Sequence, residues 1–224
     1  MMGQQILLPL LLLLVSSNSF CQTSVMSYNI RYNNPNDGDN WWENRKEEVV
    51  DLLEYYHPEF IGIQEGMNDQ VAYLDSLLKD YAFFGFGRDG EGSISEAVPI
   101  FYDSTRFEMI KGQVYWLSET PEVVSKGWDA ALNRIVTYGA FRNKEQGDTV
   151  HIFNAHFDHM GKDARANSAK VILDKISELK LFDEKVVIMG DFNCIPTDTP
   201  YQILTESLDD AMKITSNGLY GPEQ

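Results

Sequence analysis

Four short polar groups interrupt otherwise apolar runs, and each carries a side chain suited to chemistry on a phosphate. Asn29 sits in MSYNIR, Glu65 closes FIGIQE, FNAHFDH holds Asn154, His156, Asp158 and His159, and GDFN holds Asp191 and Asn193. Carboxylate and amide oxygens are the donors that Mg²⁺ or Mn²⁺ prefers, and such an ion keeps several of its waters. It polarises a phosphoryl oxygen and offsets charge that builds in the transition state. In that chemistry Asp191 is expected to orient and deprotonate an attacking water, while Asn193 and His156 donate hydrogen bonds to phosphoryl oxygens. Singly, each residue has a plainer explanation: a strand amide turned to solvent, a surface carboxylate, a structural histidine, an aspartate opening a turn. The case is joint, because acid, amide and imidazole groups recur at the ends of four core-like runs. Zinc is a poor match, since His156 and His159 form the one HxxH pair and spacing supplies no third ligand.

The elements that must position these groups follow from hydrophobic period and turn residues. Residues 25–31 read as a strand, 33–40 as a loop, 44–55 as a helix and Phe60–Gln64 as a short buried strand. Val71, Leu74, Leu77 and Leu78 mark a second helix. Six runs then follow between turn residues, at 81–87, 98–102, 107–110, 113–117, 135–141 and 149–155, a spacing that suits paired strands. A helix over 163–179 presents Ala166, Ala169, Ile172, Leu173 and Ile176 on one face. A strand at 186–189 and a short helix at 199–207 complete the chain. Helices near both ends and strands between them predict an α/β domain of two sheets packed face to face, with helices outside. The loop 33–40 holds Asp37, Gly38 and Asp39, which suggests calcium. Aligning Gly38 with the glycine of an EF-hand loop, however, puts Pro35 and Asn44 where oxygen ligands belong, so it reads as a turn.

Composition bounds the function. Of 224 residues, 43% are hydrophobic and 12% aromatic, which excludes disordered and collagen-like chains. The formal charge of −16 disfavours a protein that coats duplex DNA. The apolar run 6–15, broken by Pro9, is too short to span a bilayer and is followed by Ser16, Ser17, Asn18 and Ser19. Residues 1–21 therefore read as a signal peptide, 22–224 as the mature domain, and the protein as exported to a periplasmic or extracellular space. No other stretch is expected to span a membrane. Cys21 and Cys194 make no disulfide framework.

In order along the chain, MSYNIR, IGIQE, FGRDG, EAVPIFYD, VYWLSETPE, GWDAALNRI, FNAHFDHMG and GDFNCIPTDTPYQIL resemble the endonuclease/exonuclease/phosphatase superfamily. This is the fold of deoxyribonuclease I, exonuclease III, neutral sphingomyelinases and deadenylases. The stretch through SETPE, SKGWDAALNRI and HFDHMG is most similar to its secreted bacterial members. The resemblance implies a four-layer, deoxyribonuclease I-like sandwich and a Mg²⁺ or Mn²⁺ cofactor. It implies Asn29 and Glu65 as the metal-site pair, His156 on the scissile phosphate, Asp191 activating water and Asn193 supporting it. Arg134 matches a phosphate-facing arginine, Arg88 and Tyr102 are further candidates for substrate contact, and Trp116 and Trp128 are expected to pack in the core or loops. The implied substrate is a phosphate ester, whether nucleic acid, lipid or small phosphorylated molecule, and no protein partner is predicted. The family pattern continues into further strands and a Ser-Asp-His motif. No histidine follows His159 here, so the expectation is a domain lacking its last strands, with an exposed sheet edge and impaired catalysis. Two functions remain open: a secreted metal-dependent phosphoesterase, or an inactive member that at most binds metal or phosphate.

Overall fold

β1 (Val25–Asn29) and β2 (Phe60–Gln64) send alternate side chains to two different apolar layers, as the period of two of a strand requires. Met26, Tyr28, Ile61 and Ile63 face the helices α1 (Trp42–Tyr56) and α2 (Asn68–Leu77), which contribute Trp42, Val49, Val50, Leu53, Val71 and Leu74. Phe60 faces the other way, into a layer between two sheets. The computed structural model describes residues 23–214. The expected signal segment, Cys21 and residues 215–224 lie outside the described residues.

The first sheet has the order β1-β2-β4-β3, with β3 at Tyr81–Phe84 and β4 at Ile100–Asp103. The second has the order β5-β6-β7-β8, with β5 at Phe107–Trp116, β6 at Ile135–Asn143, β7 at Thr149–His156 and β8 at Lys185–Asp191. Each sheet is mixed. β1 and β2 run parallel in one, β7 and β8 parallel in the other, and the remaining pairs are antiparallel. A parallel pair needs a crossover, supplied by α1 between β1 and β2 and by α3 (Lys162–Glu178) between β7 and β8. Ala169, Val171, Ile172 and Ile176 of α3 cover Val136, Tyr138, Phe153 and Ala155, and Leu204 of α4 (Thr199–Thr205) joins them. A last helical turn, α5, spans Ala211–Ile214. The result is the expected four-layer α/β sandwich.

Between the sheets Phe60 meets Phe107 and Phe141 at ring-centroid distances of 4.7 and 5.0 Å, with Ile100, Val150, Ile152 and Met189 around them. Burying a phenylalanine this fully contributes about 1.5–3 kcal/mol. Two runs expected as separate strands, 107–110 and 113–117, form one strand with a bulge between Met109 and Lys111. Gly112 reads as a turn residue in sequence, but a Cβ there would lie 2.8 Å from the Phe84 ring, so it marks a close approach of the two sheets. Residues Pro35–Asn40 form a 3-10 turn opened by the Asn34 side chain, in keeping with the turn reading. Among the described residues no helix is long and apolar enough to cross a membrane.

Candidate active site

The inter-sheet layer changes character along its length. Following the inward-facing alternation, β2 gives Phe60, Gly62 and Gln64; β7 gives Val150, Ile152, Asn154 and His156; β8 gives Val187, Met189 and Asp191; β1 gives Ser27 and Asn29. Apolar residues fill one end, and polar ones collect where both parallel pairs reach their carboxyl ends, the usual place for ligands in such sheets.

Asn154, fully buried, forms the floor of this polar end. Its Nδ2 donates to the carbonyls of Ile63 (2.9 Å) and Pro99 (2.8 Å), and its Oδ1 accepts from Gln64 Nε2 at 2.7 Å. These bonds tie β7 of one sheet to β2 of the other. Gly62 is required opposite, since a Cβ would lie 2.6 Å from Asn154 Oδ1.

Above this floor, Asn29 Nδ2 donates to Glu65 Oε1 and Asp191 Oδ2, both at 2.9 Å. Glu65 Oε2 accepts the Tyr32 N–H at 3.1 Å and lies 3.8 Å from Arg31 Nη1. Asp191 Oδ1 accepts the Asn193 N–H at 3.0 Å, while Asn193 Nδ2 donates to the Phe157 carbonyl at 3.0 Å. His156 Nε2 stands 3.9 Å from Asp191 Oδ2. Burial, reinforced by the Arg134 charge and opposed by Asp191 and Glu65, pushes the imidazole down to about 4, so at neutral pH it is uncharged.

Backbone strain gathers here. Arg31, Glu65 and Asn193 have φ of 61°, 60° and 46°, left-handed conformations that cost about 1–3 kcal/mol each. Gly190, with φ of 149°, precedes Asp191 where an added Cβ would stand 2.0 Å from the Ala155 carbonyl oxygen.

The other wall of the cleft is basic. Arg134, 5% exposed, donates Nε to Asp158 Oδ2 at 3.2 Å and approaches His159 Nδ1 through Nη2 at 2.9 Å. Burial alone raises the Asp158 carboxyl, but N–H donors from Gly161, Met160 and Ala131, with Arg134, outweigh it and hold the group well below the usual carboxylate range. Arg88 pairs with Glu96 at 2.8 Å, and its carbonyl accepts the Trp116 indole N–H at 2.7 Å. A cleft of about 400 Å³ joins both walls, lined by Glu65, Arg88, Arg134, His156, Asp191 and Asn193 among others.

Of the eight residues singled out from sequence, Glu65, Arg88, Arg134, His156, Asp191 and Asn193 line this one cleft, and Asn29 stands beside it, bonded to Glu65 and Asp191. Tyr102 does neither. It pairs with Phe60 at the start of β2, whereas Glu65 follows its end, and its ring packs 4.8 Å from Phe141 in the inter-sheet layer. Trp116 and Trp128 pack as expected, Trp116 with Val98 and Ile135 and Trp128 against the layer under α3. Sequence reading passed over Arg31 and Tyr32, which flank Glu65. Their position two and three residues after Asn29 was the available signal, since a strand end delivers the residues that follow it to the same rim.

An α/β sandwich with two carboxylates, amides and a neutral imidazole at its strand ends, facing a basic wall, defines a phosphate-handling class of protein. The chain belongs to the Endonuclease/Exonuclease/phosphatase family, whose model matches residues 26–223. Members of this family are phosphoric ester hydrolases. Among solved structures it is similar to a mannosyl-6-phosphatase of Bacteroides thetaiotaomicron, with 34% identity and a TM-score of 0.79 over 83% of this chain and 70% of that one. It is 29% identical over 165 residues to an uncharacterised protein of Acanthamoeba polyphaga mimivirus, covering 68% of this chain and 59% of that one. It is 24% identical over 180 residues to protein angel of Drosophila melanogaster, covering 73% of this chain and 47% of that one. The chain therefore spans about half the length of the curated relatives it matches.

Proposed function

We propose that this protein is a divalent-cation-dependent phosphoesterase that hydrolyses a small phosphorylated molecule with water as the nucleophile. One observation carries the reading: Asn29 draws the Glu65 and Asp191 carboxylates to a single amide beside a neutral His156. The donor chemistry fits Mg²⁺ or Mn²⁺. Two carboxylates converge on a neutral group, and the nearest cation, Arg31, is already held by Asp37 at 2.8 Å. Mg²⁺ binds through one or two carboxylates and keeps its waters, a donor set that Glu65 and Asp191 match.

Glu65 would hold the ion, with Asn29 aligning both carboxylates. When bound, the ion supplies charge to the phosphoryl oxygens and lowers the cost of placing an anion beside two acids. Asp191, steadied by the Asn193 N–H, orients a water and takes its proton as the water oxygen bonds to phosphorus, while the bond from phosphorus to the ester oxygen breaks and the alcohol leaves with a proton from solvent. Uncharged His156 donates a hydrogen bond to a phosphoryl oxygen, and Arg134 and Arg88 oppose the remaining negative charge. The cleft volume, at the small end of the usual ligand range, and the similarity to a sugar phosphatase support a small substrate over a polymer. The reading includes export, supported by the apolar run 6–15 and its polar boundary.

The test is hydrolysis of p-nitrophenyl phosphate and bis(p-nitrophenyl) phosphate in Mg²⁺, Mn²⁺ or EDTA, with Asp191→Ala alongside. Turnover that needs the cation and disappears in the variant is expected, faster on the monoester. Turnover in EDTA, or an Asp191→Ala protein as active as the parent, would refute the proposal.

A further inference from the structure

Asp158, Arg134 and His159 form a continuous chain of contacts, and its outer end has no part in the hydrolytic scheme. Asp158 is fully buried, and its carboxylate accepts N–H groups from Ala131 (3.1 Å), Met160 (2.9 Å) and Gly161 (2.8 Å) besides Arg134 Nε (3.2 Å). So many donors hold the carboxylate still, and it in turn orients the guanidinium plane. Arg134 then directs Nη2 at His159 Nδ1, 2.9 Å away.

A guanidinium has donors and no acceptor, so in this contact Nδ1 accepts and carries no proton. The ring proton therefore sits on Nε2. His159 is exposed and lines the cleft beside Arg134, Leu132 and His156, and Nε2 has no hydrogen-bond partner among the described residues. The cleft already offers charged donors for a phosphate in Arg88 and Arg134. His159 differs from the buried His156 in standing exposed at the rim, so its N–H, held in orientation by Arg134, reaches the part of a substrate that lies outside the phosphate site.

We propose that His159 is a specificity-determining residue whose Nε2–H donates to a hydroxyl of the leaving alcohol, selecting phosphate monoesters of hydroxyl-rich alcohols such as hexoses over aryl esters. Asp158 and Arg134 act as positioning residues for that donor. The inference rests on the hydrolytic reading given above, and it assigns the part of the substrate that the reading left open.

The test compares kcat and KM of the full chain for glucose 6-phosphate, mannose 6-phosphate and phenyl phosphate in the same cation, with His159→Ala and His159→Gln. His159→Ala should lower kcat/KM for the hexose phosphates about 3- to 10-fold further than for phenyl phosphate, mainly through KM. His159→Gln should recover most of that difference, because its amide accepts from Arg134 and donates outward. Equal falls for all three esters, or an unaltered ratio, would overturn the proposal. A second readout is independent of turnover: the ¹⁵N spectrum of the His159 ring should show the Nε2–H tautomer, with a signal that moves more on adding hexose 6-phosphate than inorganic phosphate. An Nδ1–H tautomer, or equal movement with both ligands, would also overturn it. If the wild-type chain hydrolyses none of the esters, the hydrolytic reading fails and the spectra alone decide the role of His159.

Discussion

The cluster of Asn29, Glu65 and Asp191 and the cluster of Arg134, Asp158 and His159 both border His156, yet their charge and exposure differ. The first joins two carboxylates, 17% and 31% exposed at the side chain, through one neutral amide. Its nearest cation is shared with Asp37. The second pairs one cation with one carboxylate, 5% and 0% exposed, and surrounds the carboxylate with backbone donors. The acid cluster keeps an excess of negative charge and water access, which are the conditions for binding an ion and activating water. The arginine cluster is paired internally, which holds Arg134 and His159 rigid where they line the cleft. Its charge is balanced before any substrate arrives, because a buried charge without a partner is too costly to keep in place.

Removing one member of each cluster breaks this contrast in different observables. Asp191→Ala should reduce kcat by about 10²–10⁴-fold while leaving the unfolding midpoint in urea close to that of the parent, as checked by assay and denaturation together. Asp158→Asn should do the reverse first. It strands Arg134 in a buried position, and a loss of about 3–5 kcal/mol in urea unfolding is expected.

The same aspartate gives a pH signature. Its folded value lies below its unfolded value, so the stability it contributes is complete above the unfolded value, about 4, and is lost as pH falls toward the folded one. Unfolding measured between pH 6 and pH 2 should show a steeper acid loss in the parent than in Asp158→Asn. A smaller effect sharpens the acid side. Mg²⁺ or Mn²⁺ should raise the melting temperature of the parent in proportion to binding and raise that of Glu65→Gln much less, as read by thermal denaturation with EDTA controls. The smallest change tests the correction at Tyr102. Its ring belongs to the inter-sheet packing, so Tyr102→Phe should leave kcat/KM within about twofold and shift stability by less than about 1.5 kcal/mol.

Much of the architecture was legible along the chain. The strand Phe60–Gln64 was readable to the residue, and the helix expected over 163–179 occupies Lys162–Glu178. One departure, a single bulged strand in place of two, arose because a glycine in a strand and a glycine in a turn look alike until the facing Phe84 is known. The fold class was likewise readable, and so was the convergence of Asn29, Glu65, His156, Asp191 and Asn193 on one rim, because strand ends in sequence become a common rim in such folds.

What the sequence determined by itself is therefore what local physics controls: the period of burial that distinguishes strand from helix, the residues that end each element, and the set of donors available at those ends. The tertiary structure alone decided how those donors meet. Asn29 bonds carboxylates 36 and 162 residues away, and Arg134 finds its partners 24 and 25 residues on. Those contacts depend on the register of each sheet and on the distance between the two sheets, which Asn154 and the interleaved phenylalanines set. Tyr102 shows the consequence from the other side: its residue type suited a substrate contact, but an antiparallel register carried it to the far end of β2. Side-chain chemistry is written in the chain, whereas proximity is a property of packing.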